Sequence, residues 1–246
     1  KIIPEQGASL QIVHGSETFP MTESQPGIYE TPVVQGVTGD GYQLLITTHD
    51  GRKYASEVVV LKKSPEIKSI YAKYLTNQTA FEDGIHFYLD TEDLTGKSRF
   101  YRWEFQETYE IKTPFPSTLE WLGGNNVVFR DKPIDRCWAA DTSRNIVIGT
   151  TSGLKDDRIT ALQLHFLPFY SYAMRIRYSI LVRQFTLTEQ AYRYWKTLRD
   201  INQTQGSLFD VQPGELRGNI RSLDSDDESA LGYFDASTFS EKRVFF

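Results

Sequence analysis

Residues 99–112 read RFYRWEFQETYEIK, with large apolar and polar residues in near-strict alternation. Successive side chains of a strand point to opposite faces, so the pattern predicts one long strand with a buried face. Tyr101, Trp103, Phe105, Tyr109 and Ile111 fall on that face, and Arg102, Glu104, Gln106, Thr108 and Glu110 on the other. Such a strand needs paired neighbours and a layer packed over its aromatic side. Glu107 interrupts the pattern, because strict alternation sets it beside Trp103, Phe105 and Tyr109.

Aromatics make up 13% of the 246 residues, and many stand in β-like segments. They favour pleated, half-buried surfaces, which points to an all-β core. An exposed aromatic platform for a sugar or a partner is the alternative. Hydrophobic content of 39% and charged content of 24% are those of a globular chain rather than a disordered one. The longest apolar runs, such as Val58–Leu61, are far too short to cross a bilayer. Net charge is −5 and no Lys/Arg block stands out, so the electrostatic footprint of a nucleic-acid binder is missing. The single cysteine, Cys137, excludes an internal disulfide and a thiolate zinc cluster. Position 1 is Lys and no basic-then-apolar leader follows, so the chain reads as a mature or trimmed product.

Residues 1–64 read as a small β domain. Candidate strands are GASLQIV (7–13), GIYET (27–31), YQLLITT (42–48) and YASEVVVL (54–61). Asp50-Gly51 between the last two is a strong hairpin signal, since both residues tolerate positive φ. Tyr42, Leu44 and Ile46 share one face, and Tyr54, Val58 and Val60 are expected to share it on the partner strand. Lys62-Lys63-Ser64-Pro65 marks a boundary, because Pro65 cannot donate into a ladder. Residues 65–246 form the larger β-rich part, with further strands expected around 67–71, 84–90, 145–150, 159–167 and 174–187. One amphipathic helix is predicted over 189–202: Thr188 caps it, Ala191, Tyr194, Trp195, Leu198 and Ile201 form its apolar stripe, and Gly206 ends it. The fold class is therefore mainly β, two sandwich-like domains with one packed helix.

No catalytic constellation accompanies these elements. Glu107 is the residue of most interest, since a carboxylate on an aromatic face needs a cation or hydrogen bonds to hold it. Arg175, Arg177 and Arg183 share a face of the 174–187 segment, so a buried structural ion pair with Glu107 is expected. A catalytic acid would need a second carboxylate at a set separation, and Glu104 and Glu110 fall on the opposite face. His14, His49, His86 and His165 show no zinc-ligand spacing, and no metal or cofactor is expected. Asp224, Asp226, Asp227 and Glu228 lack the register of a calcium loop and read as a solvated turn, as do Asp90, Glu92 and Asp93. Gly149-Thr150-Thr151-Ser152-Gly153 is neither a nucleophile elbow nor a phosphate loop. Cys137 beside Trp138 reads as a buried apolar pair.

Several long motifs carry a resemblance. DGRKYASE (50–57), RFYRWEFQETYEI (99–111), Arg136-Cys137-Trp138, RYSILVRQFTLTEQAYRYW (177–195), GSLFDVQPGELRGNI (206–220), LGYF (231–234) and EKRVFF (241–246) span nearly the whole chain. Together they resemble the domain of unknown function 4249 family, surface-type lipoproteins of Bacteroidota. The resemblance implies a small N-terminal Ig/transthyretin-like sandwich, of which GASLQIV and GIYET look like the late strands, followed by a larger C-terminal β domain. It also implies an acylated cysteine at the outer membrane, which this sequence does not contain; Cys137 is not a lipobox cysteine. Its implied partner is a large outer-membrane β-barrel, a SusC-type TonB-dependent transporter, with a secretion or barrel-assembly machine as the alternative.

The resemblance and the absence of a catalytic motif together favour a non-enzymatic accessory subunit. Leu208, Phe209, Pro213 and Leu216 are candidate partner contacts, unless they pack under the helix. A second reading is a free-standing carbohydrate- or peptide-binding module with a cleft lined by Trp103, Trp121 or Trp138. A third is a hydrolase that uses Glu107 with a distant carboxylate.

Overall fold

The computed structural model describes residues 3–32, 34–76, 83–132, 134–203, 216–225, 228 and 230–246. Seven strands occupy the first part of the chain: β1 (Ser9–His14), β2 (Glu17–Pro20), β3 (Thr22–Gln25), β4 (Ile28–Glu30), β5 (Gly41–Thr47), β6 (Lys53–Ser56) and β7 (Val59–Val60). The remainder carries β8 (Ile67–Leu75), β9 (Gly84–Glu92), β10 (Phe100–Lys112), β11 (Leu119–Gly123), β12 (Asn126–Phe129) and β13 (Arg136–Thr142). Then follow β14 (Val147–Thr150), β15 (Arg158–Pro168), β16 (Tyr178–Thr186), the helix α1 (Glu189–Gln203), β17 (Ile220–Ser222) and β18 (Phe239–Phe245). The protein is mainly β with a single helix among the described residues.

The long alternating segment is β10, and its two edges organise the main sheet in the order β13-β10-β16-β18, with β14 in line with β13 on the same side of β10. A three-stranded sheet, β15-β9-β8, covers its aromatic face. Trp103, Tyr101, Tyr178, Ile180 and Val182 from the main sheet meet Phe87 and Leu89 of β9 in one buried core. The rings of Phe87 and Tyr178 stack at 5.1 Å across the two layers. Along one seam the layers are stitched by Lys242 of β18, whose Nζ donates to the carbonyls of Ile67 and Lys68 at 3.4 and 2.9 Å. Along the other seam β14 and β15 meet only near Gly149, where a Cβ would lie 3.1 Å from Trp103 and 3.2 Å from Ile159.

The small sheet runs β17-β6-β5-β1-β2, with β7 also on β5. Asp50-Gly51 makes the expected turn between β5 and β6, with Gly51 at φ 89°. The predicted strand 54–61 divides into β6 and β7, which reverses the register after Ser56. Val59 is then buried while Val58 and Val60 point outward, the opposite of the expected facing. The last strand of this sheet comes from far along the chain: β17 pairs antiparallel with β6, Ile220 opposite Ser56.

That return is held by Gly218 and Asn219. A Cβ on Gly218 would come within 1.9 Å of the Gly232 carbonyl oxygen, so only glycine fits. The buried Asn219 amide donates to the Phe234 carbonyl and accepts the Phe234 N–H, both at 2.8 Å, and its own carbonyl takes the Glu57 N–H at 2.8 Å. Helix α1 begins where predicted, with the Ala191 N–H donated to Thr188 Oγ1 at 3.0 Å. It lies on the outer face of β10, where the Arg102 guanidinium stacks between Trp195 and Phe185 at 4.4 and 4.7 Å. Gly206 lies outside the described residues. Among the described residues, helix and small sheet thus gather near the Phe100 end of β10, and the Lys112 end is left free.

Two predictions concern this junction. Asn219→Ala leaves buried backbone groups of Phe234 unpaired and is expected to cost about 2–3 kcal/mol in urea unfolding. The exposed Arg221→Ala, two residues on, is expected to cost less than ~1 kcal/mol. Burial lifts the Asp235 carboxyl above its ordinary range, against the Ala236 N–H and the charges of Arg102 and Lys62. A carboxyl raised in the folded state favours folding below its unfolded value of about 3.9 and loses that contribution as pH rises through the folded value. Asp235→Asn is therefore expected to melt higher than the parent at pH ~7, with the gap closing by pH ~3.

Candidate functional site

Glu107 sits in the middle of β10, buried as the alternation predicts. Its Oε2 accepts the Tyr178 hydroxyl at 2.8 Å. His165 Nε2 lies 3.2 Å from the same oxygen, but the imidazole is not aligned for a hydrogen bond. This is a contact of proximity rather than a directed bond. Burial, and next the Glu107 charge, push the Tyr178 phenol far above its ordinary range, so it remains a donor.

None of the three expected arginines reaches Glu107. Arg183 pairs across the sheet with Glu104, which places it on the outer face, and it binds Glu241 at 3.2 Å. Arg175 and Arg177 precede β16 and are exposed, Arg175 lying 3.8 Å over the Tyr172 ring. The correction has a simple cause. Glu107 is opposite Ile180, and Arg183 stands an odd number of residues away from it.

His165 arrives by a route that alternation conceals. In β15 the register slips between Gln163 and His165, so Leu164 is an extra residue and both Leu164 and His165 turn toward the core. A second slip lies between Ile159 and Leu162, where Ala161 adopts φ 54°. Its N–H is held by Asp90 Oδ1 at 2.7 Å. A non-glycine residue in that region is uncommon, and bulges of this kind often re-aim a side chain beside a functional site.

Where β15 leans away from β14 the seam opens into a cleft of about 730 Å³. Glu107 and His165 line it together with apolar walls from Phe105, Val147, Leu162 and Leu164. Two arginines also line the cleft: Arg144, 3.3 Å from Asp141, and Arg199 of α1, 3.0 Å from Asp200.

The free end of the sandwich is a separate surface. There β11 and β12 form a two-stranded ribbon outside both sheets, with Leu119 opposite Phe129 and Trp121 opposite Val127. All four are exposed, Trp121 at 69% and Phe129 at 80%. Phe115, Phe169, Tyr170, Tyr172, Tyr74 and Phe245 are exposed as well. Trp103, by contrast, is 1% exposed and cannot line a binding cleft. Cys137 and Trp138 are exposed rather than buried, because they lie on the edge strand β13, both faces of which are largely open.

Other groups singled out in the sequence have structural partners. Asp224 accepts the Lys53 N–H at 2.7 Å, and Glu228 takes Arg52 at 2.8 Å and the Tyr54 hydroxyl at 2.6 Å. Those contacts fasten the acidic turn to β6; Asp226 and Asp227 lie outside the described residues. Asp90 takes Ser69, Glu92 takes Lys68 and Arg158, and Asp93 caps the turn at Thr95 and Ser98. Glu5, His49 and Asp50 bring ligand atoms within 4.8 Å of one another, all exposed. Glu5 is already engaged by the His49 N–H, and Asp50 by Arg52. Leu208, Phe209 and Pro213 lie outside the described residues, and Leu216 is half-buried.

Core, small sheet and ribbon define a mainly β, sandwich-like protein with a single helix among the described residues. The chain belongs to the family described as Domain of unknown function (DUF4249), which it matches over residues 1–243. No curated protein and no solved structure matches it.

Tyr178→Phe removes the only aligned donor to Glu107 among the described residues, and is expected to cost about 2 kcal/mol, the range for a hydrogen bond to a charged group. In a double-mutant cycle with Glu107→Gln the two costs should fall short of additive by ~1 kcal/mol. Additive costs would mean the bond contributes nothing to folding.

Proposed function

We propose that this chain is a non-enzymatic accessory subunit at the cell surface, held to the outer membrane by a lipid attached outside these residues. It docks through the free end of its large sandwich onto a large outer-membrane β-barrel. A SusC-type TonB-dependent transporter is the partner of choice, ahead of a secretion or assembly barrel. The resemblance supplies the membrane and the barrel.

One observation carries the docking. The β11–β12 ribbon exposes a continuous apolar face of Leu119, Trp121, Val127 and Phe129. An isolated two-stranded ribbon is marginal in water, and exposed contiguous apolar patches mark interaction sites. Exposed Trp and Tyr are also the residues that most often dominate binding energy at protein interfaces.

Purification from the native outer membrane in mild detergent tests the reading. The expected result is a stoichiometric barrel that co-purifies with the parent chain and is lost from a folded Trp121→Ser/Phe129→Ser variant. A barrel retained by that variant would move the interface elsewhere. A chain that comes away alone at every detergent strength would end the accessory reading.

A further inference from the structure

We propose that the cleft between β14 and β15 is a binding site for a small zwitterion with an apolar body, such as a hydrophobic amino acid or a short peptide. The site is separate from the docking end and does not depend on a barrel partner.

Its chemistry follows from the lining. At the floor stands Glu107, a buried carboxylate to which the chain brings one aligned donor, Tyr178, among the described residues. Its second oxygen, Oε1, accepts no hydrogen bond from them, although Glu107 lines the cleft. Buried carboxylates are stabilised by a cation or by several donors. The guanidinium that sequence reasoning assigned to this role is absent, and His165 supplies only an unaligned contact. An ammonium group of a ligand completes the set.

Arg144 and Arg199 bring two guanidiniums to the same lining, each tied to a single neighbouring aspartate. Arginine remains free to bind a further carboxylate through its other N–H groups. Phe105, Val147, Leu162 and Leu164 form the walls between. A purely cationic ligand meets the two arginines, a purely anionic one meets Glu107, and an uncharged one leaves both unanswered. A molecule with an ammonium, an apolar body and a carboxylate satisfies all three zones. The volume of about 730 Å³ falls within the range usual for small-molecule sites.

The wall that carries His165 is also the one built at a conformational cost. Both register slips of β15 and the left-handed Ala161 lie between Ile159 and His165. Strain of this kind persists where surrounding structure enforces it, and it clusters at ligand sites. The same slips interrupt the free edge of β15, so a ligand cannot simply extend the sheet as an added strand. Recognition falls to side chains.

The test is titration calorimetry on the isolated chain with three probes: leucyl-leucine, its N-acetyl form and its C-terminal amide. Leucyl-leucine is expected to bind with a Kd below ~1 mM, and loss of either charge should weaken it about tenfold, a difference of ~1.4 kcal/mol. Arg144→Gln, at a side chain 81% exposed, should weaken leucyl-leucine while leaving the amide unchanged. Leu162→Trp should abolish binding by filling the cleft, and both variants keep Glu107 in place, so the result does not depend on Glu107→Gln folding. No saturable heat up to ~10 mM, or equal affinity for the capped and uncapped peptides, would overturn the proposal.

Discussion

The side-chain amide of Gln184 has no exposed surface, so each of its polar atoms must find a partner inside the protein. Its oxygen accepts the Trp103 indole N–H at 2.9 Å, and its nitrogen donates to the Pro65 carbonyl at 2.7 Å. The backbone carbonyl of the same residue takes the Ser64 hydroxyl at 2.9 Å, and Ser240 of β18 donates to Pro65 at 2.7 Å. One amide therefore fixes the largest ring of the core and the link to the small sheet, and the Pro65 carbonyl ties the same point to the edge of the main sheet. A buried network of this kind specifies one arrangement, since half-satisfied alternatives leave polar groups stranded. Pro65 lies between β7 and β8 in no strand, and its carbonyl binds the link into the core, so the link is not a loose tether.

The core tolerates a second polar intrusion on different terms. Glu107 is surrounded by aromatic side chains but held by only a phenol and an unaligned imidazole. The present arrangement leaves the seam open and keeps a charge within reach of it, at a cost to stability that the rest of the sandwich offsets. Open seam and apolar ribbon lie on different parts of the large sandwich and share no residue.

Much of the fold was legible. The β10 alternation, the Asp50-Gly51 hairpin and the Thr188-capped helix depend on local periodicity and on the φ preferences of single residues, which a sequence displays directly. What was hidden depends on register. Alternation drawn through ITALQLHFL sets His165 in line with Gln163, and nothing local announces that Leu164 will be the extra residue. The same blindness assigned arginines to Glu107, because a face of β16 could be listed but not aligned with β10. Trp103 and Trp138 are alike as residues, yet one lies at the centre of a sheet and the other on its edge, and that difference is set by topology alone. The loop 206–220 reads as a candidate for contact with a partner through Leu208, Phe209, Pro213 and Leu216, and nothing local shows what its last residues or LGYF hold. At Gly218, Asn219 and Phe234 they instead form an internal clasp.

The return of β17 to the small sheet sets an order on how the protein comes into being. A ribosome delivers β1 to β7 long before residues 220–222, and until those arrive β6 has an open edge. Unpaired edges are the sites at which nascent chains pair wrongly with one another. The small sheet cannot be finished as an early, self-contained unit; it must wait while more than a hundred and fifty residues pass. A polypeptide interrupted before Gly218 therefore carries an unfinished sheet, with the edge of β6 still open.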